Sequence, residues 1–145
     1  MKIRIKPASL EEVLSINSQI PEFDEPNTSL ELKHRCKENK CLMIAAFVDE
    51  KPAGYLVGYE LDHKTFYCWM TGVIPEFRKN GILSKMMEHQ SRWAKKNGYT
   101  KLRIKTRNTR REMMHYLINH GFNFTDVEKM NKVEYNRILL EKSLK

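Results

Sequence analysis

The residue types best suited to chemistry in this chain lie in residues 73–83, whose sequence is Val-Ile-Pro-Glu-Phe-Arg-Lys-Asn-Gly-Ile-Leu. This stretch connects a predicted strand to a predicted helix. The start of a helix presents backbone N–H groups without partners and a partial positive charge, so a loop that leads into it can hold a pyrophosphate. Gly81 would let the backbone approach an anion closely, and Arg78, Lys79 and Lys85 would add positive charge. The stretch therefore predicts a phosphate-binding loop.

An isolated Asn80-Gly81 pair is more often a tight turn before an amphipathic helix, and the surrounding elements decide between the two interpretations. A phosphate loop needs a strand before it and a helix after it. Alternating or continuous apolar runs predict seven strands, at residues 1–6, 41–48, 53–60, 65–74, 101–107, 122–127 and 137–144. The loop thus follows the fourth strand, as a phosphate loop requires.

Four helices are predicted between these strands. Three of them begin with the spacing of a capping box: Ser9 with Glu12, Thr28 with Glu31, and Thr109 with Glu112. The helix after the loop ends at Asn97-Gly98. The last helix would direct four apolar residues inward: Met113, Met114, Leu117 and Ile118. The element order βααβββαβαββ predicts an α/β fold, in which one domain of residues 1–145 has a mixed sheet with helices on its faces.

Composition limits the classes of protein that fit. The chain has 145 residues, of which 41% are hydrophobic, so it predicts a globular protein with a core and excludes a disordered one. No apolar run approaches the roughly 18 residues of a membrane span, and no signal peptide is evident, so we expect a cytoplasmic protein that does not bind membranes. The net charge of +8 favours an anionic partner, either a nucleic acid, an anionic membrane surface or a phosphorylated ligand.

The three cysteines, Cys36, Cys41 and Cys68, are odd in number and lack a Cys-x-x-Cys or a paired His motif. We therefore expect reduced thiols, and we predict neither a disulfide framework nor a metal site.

The element order and residues 78–83 together resemble the GNAT family of N-acetyltransferases, and the resemblance extends from Met1 to about Leu144. The family motif is Arg/Gln-x-x-Gly-x-Gly/Ala, which this chain matches at Arg78 and Gly81, whereas Leu83 departs from the final small residue. The resemblance implies a GNAT-like acyl-CoA N-acyltransferase fold, with acetyl-CoA as the co-substrate and a small-molecule or peptide amine as the acceptor.

The resemblance also implies where acetyl-CoA binds. A bulge in strand 65–74 would separate it from strand 101–107, and the pantetheine arm would lie in the gap. The implied cofactor-binding residues are Val73, Ile74, Arg78, Lys79, Asn80, Gly81, Ile82, Leu83, Ser84, Asn108 and Arg110. The family's mechanism is direct attack of the amine on the thioester without an acyl-enzyme, so Cys68 is expected to be a core residue, and a strand amide near Val73 would stabilise the developing negative charge.

Proton transfer is assigned to Glu60 and Tyr116. The family often has a Tyr four residues before the Gly that corresponds to Gly121, as the acid that protonates the leaving thiolate, and here that position is Leu117. Tyr116 is one residue away, which is about 100° around a helix, so an ordinary half-buried aromatic is the alternative interpretation. The other candidate bases are Asp62, His63, Glu22, Asp24 and Glu25, each of which could instead be a solvated surface group.

Two patterns near the expected acceptor site indicate opposite acceptors. Residues 22–25 are acidic and would favour a cationic amine, whereas Lys105 and Arg107, at the end of a basic strand, would favour an anionic acceptor or the phosphates of the cofactor. Tyr67 and Trp69 alternate toward one face and would line either an acceptor pocket or the core. The sequence leaves these alternatives open.

Three other functions compete with catalysis. A nucleic-acid-binding module fits the charge, but the basic residues are dispersed and form no known binding motif, so nucleic acid is not predicted as a partner. A catalytically inactive CoA-binding sensor of the same fold fits the missing Tyr. A homodimer that pairs Met-rich surfaces, at Met113, Met114 and Met130, is compatible with an enzyme.

Overall fold

The structure, a computed structural model, describes residues 1–21, 29–38 and 40–145. Its helices are α1 (Leu10–Asn17), α2 (Ser29–Glu38), α3 (Ile82–Lys96) and α4 (Arg111–Asn119). Its strands are β1 (Ile3–Pro7), β2 (Cys41–Val48), β3 (Lys51–Glu60), β4 (Thr65–Val73), β5 (Lys101–Arg107), β6 (Asn123–Glu128) and β7 (Arg137–Ser143). Two short 3-10 turns lie at Pro75–Phe77 and Val133–Tyr135. This order confirms the predicted βααβββαβαββ arrangement.

All the strands belong to one mixed sheet, in the order β1-β2-β3-β4-β5-β7-β6. Only β4 and β5 pair in parallel, because α3 crosses over between them. Two apolar clusters cover the sheet: one packs α1 and α2 against one face, and the other packs α3 and α4 against the opposite face. No helix within residues 1–21, 29–38 and 40–145 is both long and apolar enough to cross a membrane.

Local start signals explain α1 better than α4. Ser9 accepts from the Glu12 backbone N–H and Glu12 accepts from the Ser9 backbone N–H, so the first capping box is confirmed. The capping box at Thr109 is wrong, because α4 begins one residue later, with Arg110 at the N-cap and no side-chain cap. The capping box at Thr28 lies outside the described residues.

The cysteine prediction is wrong for two of the three thiols. Cys36 near the end of α2 and Cys41 at the start of β2 form a disulfide, with their Cα atoms 5.2 Å apart. The two cysteines are only five residues apart, one in α2 and one in β2, and they form no known motif, which is why spacing alone does not show the bond. Cys68 is a free thiol and is buried.

The interruption of β4 determines the shape of the sheet. Val57 pairs with Met70, but the next residue of β3, Gly58, pairs with Cys68, so Trp69 is an extra residue on β4. Such a bulge bends a strand and increases its local twist. Pairing of β4 with β5 runs only from Thr65–Lys101 to Cys68–Ile104, and the two strands diverge beyond that point. The bulge and the gap predicted from the family resemblance are both confirmed.

Three ionisable side chains in and beside the sheet, Cys68, Tyr67 and Tyr99, have raised pKa values. Burial raises the pKa of the Cys68 thiol to about 12. Burial, and then the neighbouring Tyr59, raise the pKa of Tyr67 to about 12. Burial and the adjacent Glu60 carboxylate raise the pKa of Tyr99 to about 12. In each case the folded state holds its proton more tightly than the unfolded chain.

These shifts predict that stability falls in alkali. Below pH 9 both states are protonated and the stability from these groups is fully present, whereas between pH 9 and 12 only the unfolded state releases protons. The free energy of unfolding, measured with urea at pH 8 and pH 10.5, should therefore be lower at pH 10.5. Tyr99→Phe should reduce the difference, because it removes one of the linked protons. Equal free energies for the wild type at the two pH values would contradict these pKa shifts.

Candidate active site

The gap between β4 and β5 offers backbone hydrogen-bonding groups. The Ile74 N–H donates to the Ala53 carbonyl of β3 at 2.8 Å. Because successive residues of an antiparallel strand direct these groups to opposite sides, the N–H and C=O of Val73 point toward β5, which has diverged. The Arg78 Nε donates to the Val73 carbonyl at 3.1 Å. The Val73 N–H is thus directed into the gap.

The loop after β4 turns its backbone into the start of α3. Lys79 and Gly81 have left-handed φ angles of 68° and 77°, and the Asn80 side-chain amide donates to the Phe77 carbonyl at 3.1 Å. The first hydrogen bond of α3 runs from the Lys85 N–H to the Gly81 carbonyl, at 3.1 Å. The N–H groups of residues 82–84 precede that bond, so they have no carbonyl partner within the helix. The loop therefore presents several N–H groups at the positive end of α3.

These residues fit a pyrophosphate group. A Cβ atom built on Gly81 would meet nothing within 4 Å, so there is open space beside the loop. Lys79 and Lys85 are exposed and close to that space in sequence, which allows them to pair with an anion. Arg78 differs from the prediction in one respect, since its guanidinium turns back to β4 and braces the loop against the gap.

At the other side of the gap, Asn108 and Arg110 follow β5. The Asn108 side-chain amide donates to the Val133 carbonyl at 2.8 Å, which ties the end of β5 to the segment before β7. Arg110 lies close enough to Tyr55 on β3 for its positive charge to oppose the upward shift that burial gives the pKa of Tyr55. Asn108 therefore holds the end of β5 in place through its hydrogen bond, whereas Arg110, which follows β5, interacts electrostatically with Tyr55 of β3.

The structure places Tyr116 beside the start of α3 and turns α4 slightly from the predicted face. Ile118 is 55% exposed, contrary to the prediction, and Tyr116 packs against the core in its place. Leu117, at the family's Tyr position, is fully buried. Burial raises the pKa of Tyr116, and the Ser84 hydroxyl beside it opposes the shift. Tyr116 therefore keeps its proton at neutral pH.

Glu60 lies on the face of the sheet that α3 and α4 cover. Its carboxylate accepts from the Tyr99 hydroxyl at 2.8 Å, and Tyr99 packs on Phe66 in the core beneath α3. Its neighbours Tyr59 and Leu61 face the opposite side. Glu60 pairs with Phe66 near the start of β4, whereas Tyr116 lies beside Ser84 at the start of α3, after β4 has ended. The structure therefore does not bring Glu60 and Tyr116 together at one point.

Two of the other candidate bases, Asp62 and His63, lie in the turn between β3 and β4. Asp62 accepts from the backbone N–H groups of Lys64 and Thr65, both at 2.9 Å, and the bond from Lys64 is the main cause of its lowered pKa. His63 is exposed in the same turn. Glu22, Asp24 and Glu25 lie outside the described residues.

A cavity of about 250 Å³ lies on the side of the sheet opposite α3 and α4. Its walls are Arg35, Tyr59, Leu61, Tyr67, Arg103, Ile104, Lys105 and Leu139. Tyr67 and Lys105 are residues that the sequence predicts near an acceptor, whereas nothing in the sequence predicts Tyr59 there. Arg35 has a weak signal, a Glu four residues before it, but which face of α2 meets the sheet cannot be read from that spacing.

Comparison with known proteins places the chain in a family. The acetyltransferase (GNAT) family matches residues 10–122. None of the curated proteins compared with the chain matches it.

Solved structures share the fold at low sequence identity. Ard1 from Thermoplasma volcanium is 17% identical, with a TM-score of 0.83, over 99% of this chain and 98% of that one. The ribosomal-protein-S18-alanine N-acetyltransferase from Escherichia coli is 14% identical, with a TM-score of 0.85, over 99% and 94%. A GNAT family acetyltransferase from Elizabethkingia anophelis with acetyl-CoA bound is 21% identical, with a TM-score of 0.76, over 97% of each chain.

The family match covers most of the chain, and the bulged β4, the divergent β5 and the loop before α3 agree with it. This protein belongs to the GNAT family of acetyltransferases.

Proposed function

We propose that residues 1–145 act as one N-acetyltransferase domain that transfers the acetyl group of acetyl-CoA to a primary amine by direct attack. The observation that carries the proposal is the gap between β4 and β5, which begins at Cys68–Ile104 and leads to the positive start of α3. A phosphorylated, extended ligand fits a backbone-lined gap that ends in a loop of free N–H groups. The Elizabethkingia anophelis protein, which shares this fold, was solved with acetyl-CoA bound.

Different residues would bind the pyrophosphate and orient the rest of the co-substrate. The N–H groups of residues 82–84, with Lys79 and Lys85, hold the pyrophosphate at the start of α3. The Val73 N–H orients the arm of the co-substrate in the gap. When bound, acetyl-CoA supplies a thioester whose C–S bond breaks as the amine nitrogen forms the new C–N bond.

Tyr116 is the proposed proton donor to the leaving thiolate. It lies on α4, beside Ser84 in the first turn of α3 and within electrostatic range of Cys68 of β4. Its raised pKa keeps the phenol protonated, which is the form that a general acid needs. Its position one residue before Leu117 places it on the exposed edge of the core face of α4.

Binding of acetyl-CoA can be tested with two glycines at opposite ends of α3. Gly81→Glu should weaken binding at least thirtyfold, because it puts a negative charge beside the pyrophosphate. Gly98→Glu is the matched control, because Gly98 has a similar φ of 93° and equally open surroundings, but it lies at the far end of α3. Calorimetry should give a micromolar dissociation constant for the wild type and for Gly98→Glu.

A folded wild-type protein that does not bind acetyl-CoA, or equal binding by Gly81→Glu, would overturn the proposed site. Binding of acetyl-CoA without turnover of any amine would instead favour the inactive CoA-binding protein.

Removal of the Tyr116 hydroxyl tests the proton donor. Tyr116→Phe should lower kcat about 100-fold and leave the KM for acetyl-CoA within threefold, because a general acid acts on the leaving group and not on binding. Tyr135→Phe, at an exposed tyrosine of the segment before β7, is the control and should retain the wild-type kcat. An unchanged kcat in Tyr116→Phe would assign protonation to water or another side chain.

The geometry of Glu60 predicts a small effect for Glu60→Gln. An amide oxygen can still accept from Tyr99, and the carboxylate points away from the cavity, so kcat should fall less than threefold. A general base would behave differently, with a loss of about 100-fold and the disappearance of the acidic limb of the pH–rate profile. Steady-state rates between pH 6 and 9 distinguish the two roles.

A further inference from the structure

We infer that the acceptor is a small molecule that carries an anionic group as well as the amine that is acetylated. Its carboxylate or phosphate would bind the cations of β5 on the side of the sheet opposite α3 and α4. This inference rests on the proposed function and names the substrate class of the same site. Cationic amines such as polyamines are the alternative that it excludes.

The cavity of about 250 Å³ adjoins the point where the gap opens. Tyr67 pairs with Arg103, the next pair, Cys68–Ile104, is the last one, and Lys105 is the first residue of β5 beyond it. Tyr67, Arg103, Ile104 and Lys105 all line the cavity. A molecule in this cavity therefore reaches the gap from the side opposite α3 and α4, while the phosphate loop lies at the other end of the gap. The cavity is in the right place for an acceptor.

The charged residues that line the cavity are cations. Three of them, Arg35, Arg103 and Lys105, are among the described lining residues, and none of these lining residues is a carboxylate. Each cation also pairs with a glutamate outside the lining, at 3.3, 3.1 and 3.3 Å respectively, but the three side chains remain partly exposed, at 38%, 40% and 31%. A guanidinium has five N–H donors and an ammonium has three, so each can also bind an anion in the cavity.

Arg35 is held in a fixed position. Its guanidinium lies 4.5 Å from the centre of the Trp69 ring, and its Nη1 donates to the Tyr59 hydroxyl at 2.7 Å. The Tyr59 ring in turn packs edge-to-face on the rings of Tyr67 and Trp69, with centroids 5.5 and 5.7 Å apart. A cation that is already ordered loses little conformational entropy when a ligand binds, so this arrangement favours an anion without a large ordering cost.

The positive charge continues along the same side of β5 and β7. Arg103, Lys105 and Arg107 of β5 lie opposite Glu141, Leu139 and Arg137 of β7, respectively. Arg107 and Arg137 are thus like charges directly opposite each other, and Glu128 of β6 lies opposite Arg137 on its other side. With Lys132, these two arginines line a second cavity, of about 240 Å³, whose described walls contain no carboxylate. Both cavities on this side therefore favour anions.

The apolar walls of the cavity favour an acceptor with an apolar body. A volume of about 250 Å³, partly open to solvent, is enough for a molecule the size of an amino acid. Tyr59, Tyr67, Leu61 and Leu139 give this cavity rings and aliphatic groups against which the body of such a molecule can pack.

The kinetic test compares acceptors that differ only in the anionic group: tyrosine with tyramine, phenylalanine with phenethylamine, and phosphoethanolamine with ethanolamine. In at least one pair, the member with the anionic group should have at least tenfold higher kcat/KM. A preference in the tyrosine or phenylalanine pair would identify a carboxylate as the anionic group, and a preference in the phosphoethanolamine pair would identify a phosphate. Arg103→Gln and Lys105→Gln should each raise the KM for the anionic member about 10- to 100-fold and leave the KM for acetyl-CoA within threefold.

Arg4→Gln is the matched control, because Arg4 also forms a partly exposed pair with a Glu, at 3.2 Å to Glu50, but on the far edge of the sheet. It should leave every constant unchanged. Preference for the uncharged or cationic member, or for spermidine, would overturn the inference, as would equal losses on both members of a pair in Arg103→Gln.

A binding measurement keeps the inference testable if no turnover is found. Trp69 and Trp93 are the two tryptophans of the chain, so Trp93→Phe leaves the fluorescence of Trp69, beside Arg35, as the signal. 4-Hydroxyphenylacetate or phenyl phosphate should bind at least tenfold more tightly than tyramine, and Arg103→Gln should remove that difference. Equal or tighter binding of tyramine overturns the inference and leaves the proposed function standing. Failure to bind acetyl-CoA, with the preference for the anion retained, overturns the proposed function and reduces the inference to an anion-binding cavity.

Discussion

The rest of the structure depends on the loss of hydrogen bonding between β4 and β5. One extra residue, Trp69, bends β4 away, and only four parallel pairs remain before the two strands diverge. In an unbroken sheet these two edges would hydrogen-bond each other, whereas here they diverge and leave a gap into which the N–H of Val73 is directed. The bulge also sets the direction of β4 as it leads into the loop before α3. A single irregularity in the ladder thus creates the ligand gap and places the phosphate loop at its end.

The fold was predictable because its signals are local. The period-2 runs of β1 and β5, the continuous apolar run of β2 and the capping box at Ser9 each constrain one element, and the order of the elements leaves few topologies. The phosphate loop was predictable for the same reason, because a strand, a glycine with positive φ and a helix start are consecutive in the chain. Family resemblance added the bulge, which the residues of β4 alone do not show.

The acceptor side was not predictable, because its residues are distant in sequence. Arg35 on α2, Tyr59 on β3 and Lys105 on β5 meet only through tertiary packing. Whether a charged residue of α2 faces the sheet depends on how α2 docks, and the disulfide at Cys36 that joins α2 to β2 has no motif. Glu60 could not be assigned for the same reason. Its position at the end of β3 does not show that its carboxylate bonds to Tyr99 on the face of the sheet that α3 covers. The exposure of Ile118 and the packing of Tyr116 against the core have a related cause, because they depend on how α4 docks on the sheet.

Charge has two separate uses in this chain. At the start of α3, the partial charge of backbone N–H groups is reinforced by lysines that remain exposed, which suits a phosphate that binds at the surface. On the side of β5 and β7, arginine and lysine are combined with tyrosines and partly balanced by carboxylates, which suits a smaller anion with an apolar body. The two proposed sites would thus use part of the basic residues of the chain to bind small anions.

The central claim is that acetyl-CoA lies along β4 with its pyrophosphate at the start of α3. Amide chemical shifts of the ¹⁵N-labelled protein, recorded while coenzyme A is added, test it most directly. The account predicts that the largest changes occur at Val73 and at residues 79–84, with β1 and β6 unaffected. Changes confined to other parts of the sheet, or no change at residues 79–84, would contradict it.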